Sequence, residues 1–343
     1  MSRIGYPIFV CCLLSFVLIS QGGCEESVEL SDFDPAKVDP LMGNYVGTYE
    51  IWGWEPAHAE AQVIPEGGND YRVRIAVEPA EGDVWGIQGE FHGKKKGEKI
   101  SFSGESGGVE WEGTIADGVL NASFPSDYGG TFELKHEAKN SPKAGMAPPE
   151  GAIVLLPYKK GTPPDLTAWE NQSWQALEDG TMLVGDGPQV SKQEFGDHRL
   201  HLEFATPYLP DKRGQGRGNS GLYIQGRYEA QVLDSYGLIQ RGGDIGSFYK
   251  MAVPRLNAAL PPLYWQTYDV TFRAPRLNED GSAKEHARLT VELNGVTIHD
   301  DRVLEGPTAG GISGEEAAKG PIMLQDHGNQ VRYRNIWVVE TED

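Results

Sequence analysis

Cysteine is nearly missing from this chain, and where it does occur is the first constraint. All three cysteines, Cys11, Cys12 and Cys24, lie in the first 24 of 343 residues. The rest of the chain therefore has no disulfide, no thiolate metal site and no cysteine nucleophile. Basic charge is scarce too: 30 Lys and Arg stand against 50 Asp and Glu, a net charge of −20. A nucleic-acid binder needs a basic footprint to neutralise phosphates, and none is visible. The same deficit makes an anionic membrane surface a poor partner. Several motifs are also lacking: His-Glu-x-x-His, a Walker loop, an EF-hand loop and a Gly-x-Ser-x-Gly elbow. Against these absences, hydrophobic residues make up 39% of the chain and aromatics 10%, enough for packed cores. The 44 glycines and 22 prolines show no Gly-X-Y period, which excludes collagen and suits short strands joined by tight turns.

The N-terminus reads as a leader. Arg3 gives a positive start, and residues 9–19 form an apolar run broken only by Ser15, too short to span a bilayer comfortably. Small residues before Cys24 resemble a bacterial lipoprotein signal, although Gln21 departs from the usual Leu. The expectation is a signal over residues 1–23 and an acylated Cys24, so an exported protein, periplasmic or at the cell surface. An ordinary secretory signal cut near Gly23 is the other reading. Residues 24–42 are acidic and aperiodic, as a tether is.

The remainder is longer than one typical core, which predicts two domains. In residues 43–138, alternating stretches such as Tyr71-Arg-Val-Arg-Ile-Ala-Val77 and Gly130-Thr-Phe-Glu-Leu-Lys135 alternate with Gly-rich turns, giving a small antiparallel β domain, a meander or barrel. Residues 139–151 carry Pro and Gly at linker density. Residues 152–343 read as seven or more strands. Asp179-Gly180 and Asn294-Gly295 sit where type I′ hairpin turns would fall. The fold class is all-β, with a two-sheet sandwich or jelly roll at the C-terminus. Trp54, Trp174 and Trp265 are expected in cores.

Several stretches of that second block carry a resemblance. They are Phe195-Gly-Asp-His-Arg-Leu-His-Leu-Glu-Phe204, the segment from Gly218-Asn-Ser-Gly221 to Leu233-Asp-Ser235, Trp265-Gln-Thr-Tyr-Asp269, Leu293-Asn-Gly295, Gly320-Pro-Ile-Met-Leu-Gln-Asp-His-Gly328 and Arg334-Asn-Ile-Trp337. In order and spacing the block resembles the 3-keto-disaccharide hydrolase family over about residues 152–340. The resemblance implies a concanavalin-like jelly-roll sandwich with a concave, sugar-facing sheet. It also implies action on glycosides oxidised at C3, with an oxidoreductase elsewhere supplying the ketone. One departure is the loop Gly243-Asp-Ile-Gly-Ser-Phe-Tyr-Lys-Met-Ala-Val-Pro254, where relatives usually have a shorter apolar turn. It would border the cleft and bear on substrate preference.

A C3 ketone acidifies the C2 proton, so cleavage needs one base, polar groups over the enolate and an acid near the leaving oxygen. No cofactor is required; a divalent metal could polarise the ketone, but the sequence does not demand one. Alternation along residues 228–234 puts Glu229 and Gln231 on the face opposite Ala230 and Val232, where they act as base and orienter or form a polar pair on a solvated face. His327, in Gln325-Asp326-His327-Gly328, titrates near neutrality and would act as base or acid, joined to Asp326 by a bulge at Gly328, or is a turn histidine. Arg227 would pair with Glu229 or bind the enolate. Arg217, Asn219, Asp234, Gln325 and Asp326 are candidate sugar ligands, with turn formation the plainer role for Asn219 and Asp234. Glu203 shares a strand face with His201 and would line the cleft. The leading expectation is a 3-keto-glycoside-cleaving enzyme; the alternative is a non-catalytic carbohydrate-binding sandwich. The expected partner is the oxidised sugar, with the membrane reached through the lipid alone.

Overall fold

The computed structural model describes residues 38–53, 55–77, 86–125 and 129–341. The expected leader, Cys24, most of the tether and Trp54 lie outside the described residues. The chain divides into two compact units, one built on residues 44–63 and 69–137, the other on 138–343. Both are β-structured, as the alternation predicts.

The first unit is a closed barrel of eight strands in sequence order: β1 (Gly43–Glu50), β2 (Ala57–Gly67), β3 (Asp70–Val77), β4 (Gly86–Lys96), β5 (Lys99–Ser106), β6 (Val109–Ala116), β7 (Val119–Phe124) and β8 (Gly130–Glu137). Antiparallel pairing of β1 with β8 closes the ring. Aromatic rings fill it. Trp111 lies 4.5 Å from Phe124, 5.2 Å from Phe132 and 5.4 Å from Phe91, centroid to centroid. Strand glycines make the room: a Cβ on Gly113 would meet the Phe102 ring at 2.1 Å, and one on Gly130 the Phe124 ring at 2.3 Å.

The second unit is a sandwich. Its strands are β9 (Ile153–Leu156), β10 (Gln175–Ala176), β11 (Met182–Leu183), β12 (Gln189–Phe195), β13 (His198–Ala205), β14 (Ser220–Ile224), β15 (Tyr228–Val232), β16 (Gln266–Arg273), β17 (Arg276–Leu277), β18 (Ala283–Glu285), β19 (Ala287–Leu293), β20 (Val296–Leu304), β21 (Gly320–Leu324) and β22 (Arg332–Glu340). The large sheet runs β10-β11-β22-β13-β16-β19-β20, with β9 also on β22; the small sheet runs β12-β21-β14-β15, and β17–β18 form a separate hairpin. Between the sheets lies one apolar core, to which β13 gives Leu200, Leu202 and Phe204, and β15 gives Tyr228, Ala230 and Val232. Trp174 and Trp265 are buried, as expected.

Two hairpin turns were expected to be type I′. Asn294 and Gly295 have φ of 54° and 77°, as that turn requires. Asp179-Gly180 differs: only Gly180 has positive φ, and Gly180 N–H donates to Leu177 O at 3.0 Å. That is a longer loop ending in a left-handed glycine, with the Asp179 carboxylate accepting from Thr181 N–H instead of shaping a two-residue turn.

Residues 139–151, linker-like in composition, are tied to the outer face of the large sheet. Ser141 and Thr267 hydroxyls meet at 2.7 Å, Lys143 Nζ reaches Glu292 at 2.5 Å, and Asn335 Nδ2 donates to Met146 O at 2.9 Å.

Candidate functional site

The site starts from a tight hairpin. β14 and β15 are joined by Gln225 and Gly226, at φ of 53° and 62°, and Arg227 N–H closes the turn on Ile224 O at 3.0 Å. The register sets Gly221 opposite Gln231 and Tyr223 opposite Glu229. Leu222, Ile224, Tyr228, Ala230 and Val232 face the core and Ser220 turns inward onto the Tyr333 hydroxyl at 2.7 Å, so Gly221, Tyr223, Glu229 and Gln231 share the outer face of the small sheet.

Glu229 is the centre of that face. It is 5% exposed, and its side chain lies over Gly221, where a Cβ would come within 2.7 Å of Oε1. Burial pushes its carboxyl up to about 7, against the neighbouring Tyr223 hydroxyl, which favours the ionised form. Tyr223 is itself raised, by burial and then by the Glu229 charge. The Tyr223 hydroxyl donates to Ala309 O at 3.1 Å and accepts from Gln325 Nε2 at 3.3 Å. Gln325 Oε1 is buried without a hydrogen-bond partner. Glu229 N–H donates to Thr308 Oγ1 at 2.9 Å, and Thr308 donates to Arg227 O at 2.9 Å.

Beside Glu229, Gln231 Nε2 donates to Asn219 Oδ1 at 2.8 Å and Gln215 Oε1 at 3.1 Å, and Asn219 Nδ2 donates to Gln215 O at 3.0 Å. Asn329 Oδ1 accepts from Gly218 N–H at 2.6 Å, which ties the loop after β21 to this cluster. The outcome is one carboxylate poised near neutrality among amides and a phenol. Such a group can move a proton at a bound sugar while the amides orient its hydroxyls.

The expected residues divide accordingly. Glu229, Gln231, Asn219 and Gln325 come together. Arg217 and Asp234 are buried and paired with each other at 2.6 Å, holding the chain behind the amides. Arg227 does not pair with Glu229: its guanidinium donates to Glu315 O at 2.8 Å and Gln225 O at 2.9 Å. Asp326 is not joined to His327 by a bulge. Its carboxylate accepts from Gly187 and Gly328 N–H, at 3.0 and 2.8 Å, and His327 stands exposed in the loop.

Glu203 is a correction. Leu202 and Phe204 face the core, so Glu203 lies on the outer face of the large sheet, on the side of the sandwich away from Glu229. There it is fully buried, accepting from Arg334 Nε and Asn335 Nδ2, both at 2.7 Å, and from Gly145 N–H at 2.6 Å. Burial alone would raise its pKa, but His201, Arg334 and Asn335 together hold it below the usual range. The Arg334 guanidinium stacks on Trp265 at 4.1 Å. This is a fastening for the back of the sheet.

Sequence reasoning missed Tyr223, Gln215 and Thr308. The alternation that selected Glu229 also selects Tyr223 across the hairpin. Thr308 arrives from a distant loop and leaves no local signal. Among the described residues, no group of three or more His, Cys, Asp or Glu is placed to hold a metal ion.

A model of the 3-keto-alpha-glucoside-1,2-lyase-like domain matches residues 152–339. The chain is similar to the crystal structure of a "putative glycosyl hydrolase" from Parabacteroides distasonis ATCC 8503, at 36% identity and TM-score 0.51, over 56% of this chain and 85% of that one. A second structure of the same description and organism shares 19% identity at TM-score 0.38, over 52% and 90%. A carbohydrate-binding module from Bacillus subtilis shares 15% at TM-score 0.31, over 52% and 98%. No curated protein matches the chain.

Proposed function

The chain belongs to the family of 3-keto-alpha-glucoside-1,2-lyase-like domains, and from that premise we propose that it is a carbohydrate-acting enzyme that cleaves glycosides oxidised at C3, with Glu229 as the base. The observation that carries this reading is the burial of Glu229, whose carboxyl is pushed up to about 7 on a face otherwise made of amides and a phenol. A base is most effective when its pKa lies near the working pH.

The steps balance as follows. Glu229 takes the C2 proton, and the electron pair moves into an enolate on the C3 oxygen. The C1–O bond then breaks, its electron pair leaves with the departing oxygen, and that oxygen takes a proton from water. The hydroxide left by that water adds to C1, and Glu229 returns its proton to C2. The product is a free 3-keto-sugar. Gln325 Nε2 spends one hydrogen on the Tyr223 hydroxyl and keeps its second N–H for the enolate or a ring hydroxyl, while Gln231 and Tyr223, whose hydrogens go to Asn219, Gln215 and Ala309, hold the face in place.

The test is incubation with a 3-keto-disaccharide while free 3-keto-sugar is followed. The parent is expected to release it, and Glu229→Gln to slow release by about 10²-fold or more. Because the base must be ionised, kcat/KM should rise with pH and level off above about 7. A parent that binds the sugar and releases nothing would instead make this sandwich a carbohydrate-binding module.

A further inference from the structure

Among the described residues, large apolar side chains rarely stand exposed. Six do among the described residues, and two of them, Tyr249 at 42% and Val253 at 52%, fall within five residues of each other. Scattered singly, such residues need no explanation; clustered beside a polar site, they do. Both lie on the loop that runs along the free edge of β15.

That loop is firmly based. Gln231 N–H donates to Ser247 O at 3.0 Å, and Gly246 N–H donates back to Gln231 O at 2.9 Å. Phe248 bridges Ala230 and joins the core with it. The His299 ring donates to Gly246 O at 2.8 Å, and Arg255 N–H to Ile298 O at 3.1 Å. The tip is a tight turn closed by Met251 N–H on Phe248 O at 2.9 Å, with Lys250 at φ 59°. Phe248 turns inward opposite Ala230, and the antiparallel register brings the next residue, Tyr249, level with Glu229 as the chain enters the turn. Val253 reaches the same margin: its Cγ2 lies 3.8 Å from where a Gly242 Cβ would be, and the neighbouring Gly243 O accepts from Gln215 Nε2 at 2.8 Å. The apolar pair thus adjoins the amide cluster.

We propose that Tyr249 and Val253 form the shelf for the leaving group, and that this group is aromatic, a phenol linked to C1 of the sugar. This deepens the reading of Glu229 as the base of a glycoside-cleaving site and rests on it. The amides and carboxylate suit a sugar ring, which leaves the apolar shelf for the other half of the substrate. A phenyl ring stacks on Tyr249 and packs against Val253. Lys250 Nζ stands 5.1 Å from the Tyr249 ring centroid, a positive charge where a phenolate departs with the C1–O electron pair. A phenol, with a pKa of about 10, leaves more readily than an alcohol.

The test compares phenyl 3-keto-glucoside with a 3-keto-disaccharide on the parent, on Tyr249→Ala/Val253→Ser and on Glu229→Gln. The double variant should lose about tenfold in kcat/KM on the phenyl substrate, and less than about twofold on the disaccharide. An equal loss on both, or none on the phenyl substrate, overturns the shelf. Glu229→Gln should lose about 10²-fold or more on both substrates whatever the shelf does. If the parent turns over neither, the base reading fails, and calorimetry with phenyl and methyl glucoside still decides the shelf. A preference for phenyl that the double variant loses supports it, and no preference overturns it.

Discussion

A buried carboxylate is unstable by nature, and Glu229 should report this directly. Its folded pKa is raised from 4.5 to about 7. Between those values the folded protein keeps a proton that the unfolded chain has released, so stability falls as pH rises across the window and is level above it, by about 3 kcal/mol in all. Glu229→Gln should erase that slope and leave the protein more stable than the parent at pH 8, even as catalysis is lost. Urea denaturation at pH 5 and pH 8 measures both; equal stability at pH 8 would mean that burial is not the cause. Gly221→Ala acts on the same carboxylate from across the hairpin, since its new Cβ would fall 2.7 Å from Oε1. We expect a loss of about 1–3 kcal/mol and a kcat lower by tenfold or more, with the pH–rate profile shifted. At this scale the sequence was readable wherever alternation applied. Glu229 and Gln231 were selected because Ala230 and Val232 had to be core. Glu203 satisfied the same rule on β13 and was misplaced, because alternation gives the face of a strand but not which sheet the strand joins.

Among the elements, the loop at residues 305–319 is pinned to the β14–β15 hairpin, by Thr308 N–H on Arg227 O at 2.9 Å and Ile312 N–H on Gly226 O at 2.8 Å among other bonds. It is rich in glycine, and Arg227 and Tyr228 hold it through Glu315 O and the Glu316 carboxylate, at 2.8 Å each. It carries Thr308 to the backbone of Glu229. Arg227 is thus a positioning residue, and Arg227→Ala should speed amide hydrogen exchange across residues 308–316 by about tenfold or more while lowering kcat more than it changes KM. Unchanged exchange would mean the loop is held without it. Asn294-Gly295 was legible as a hairpin because both residues accept positive φ. The Gln225-Gly226 turn was not, because Gln at φ 53° is uncommon and is held by bonds from its Nε2 to Phe195 O and Ala318 O, 30 and 93 residues away.

For the whole molecule, the all-β class and the sandwich were legible in strand spacing and turn chemistry. For the first unit the sequence left a meander and a barrel open, since closure depends on β1 meeting β8, the two strands farthest apart in that unit. Its aromatic filling depends on glycines with no side chain to spare, and Gly113→Val should lower its stability by about 1–3 kcal/mol, read as a lower denaturation midpoint. A midpoint equal to the parent's would show that the Phe102 ring can move aside. The ring of strands has a further consequence for behaviour at high concentration. The small sheet of the sandwich must cover the rim of β15 with a loop, whereas a ring has no outermost member. Every strand of the barrel already has two partners, so a neighbouring molecule finds no open ladder on which to add its own backbone, and crowding offers this unit no route to fibre growth by edge-to-edge pairing.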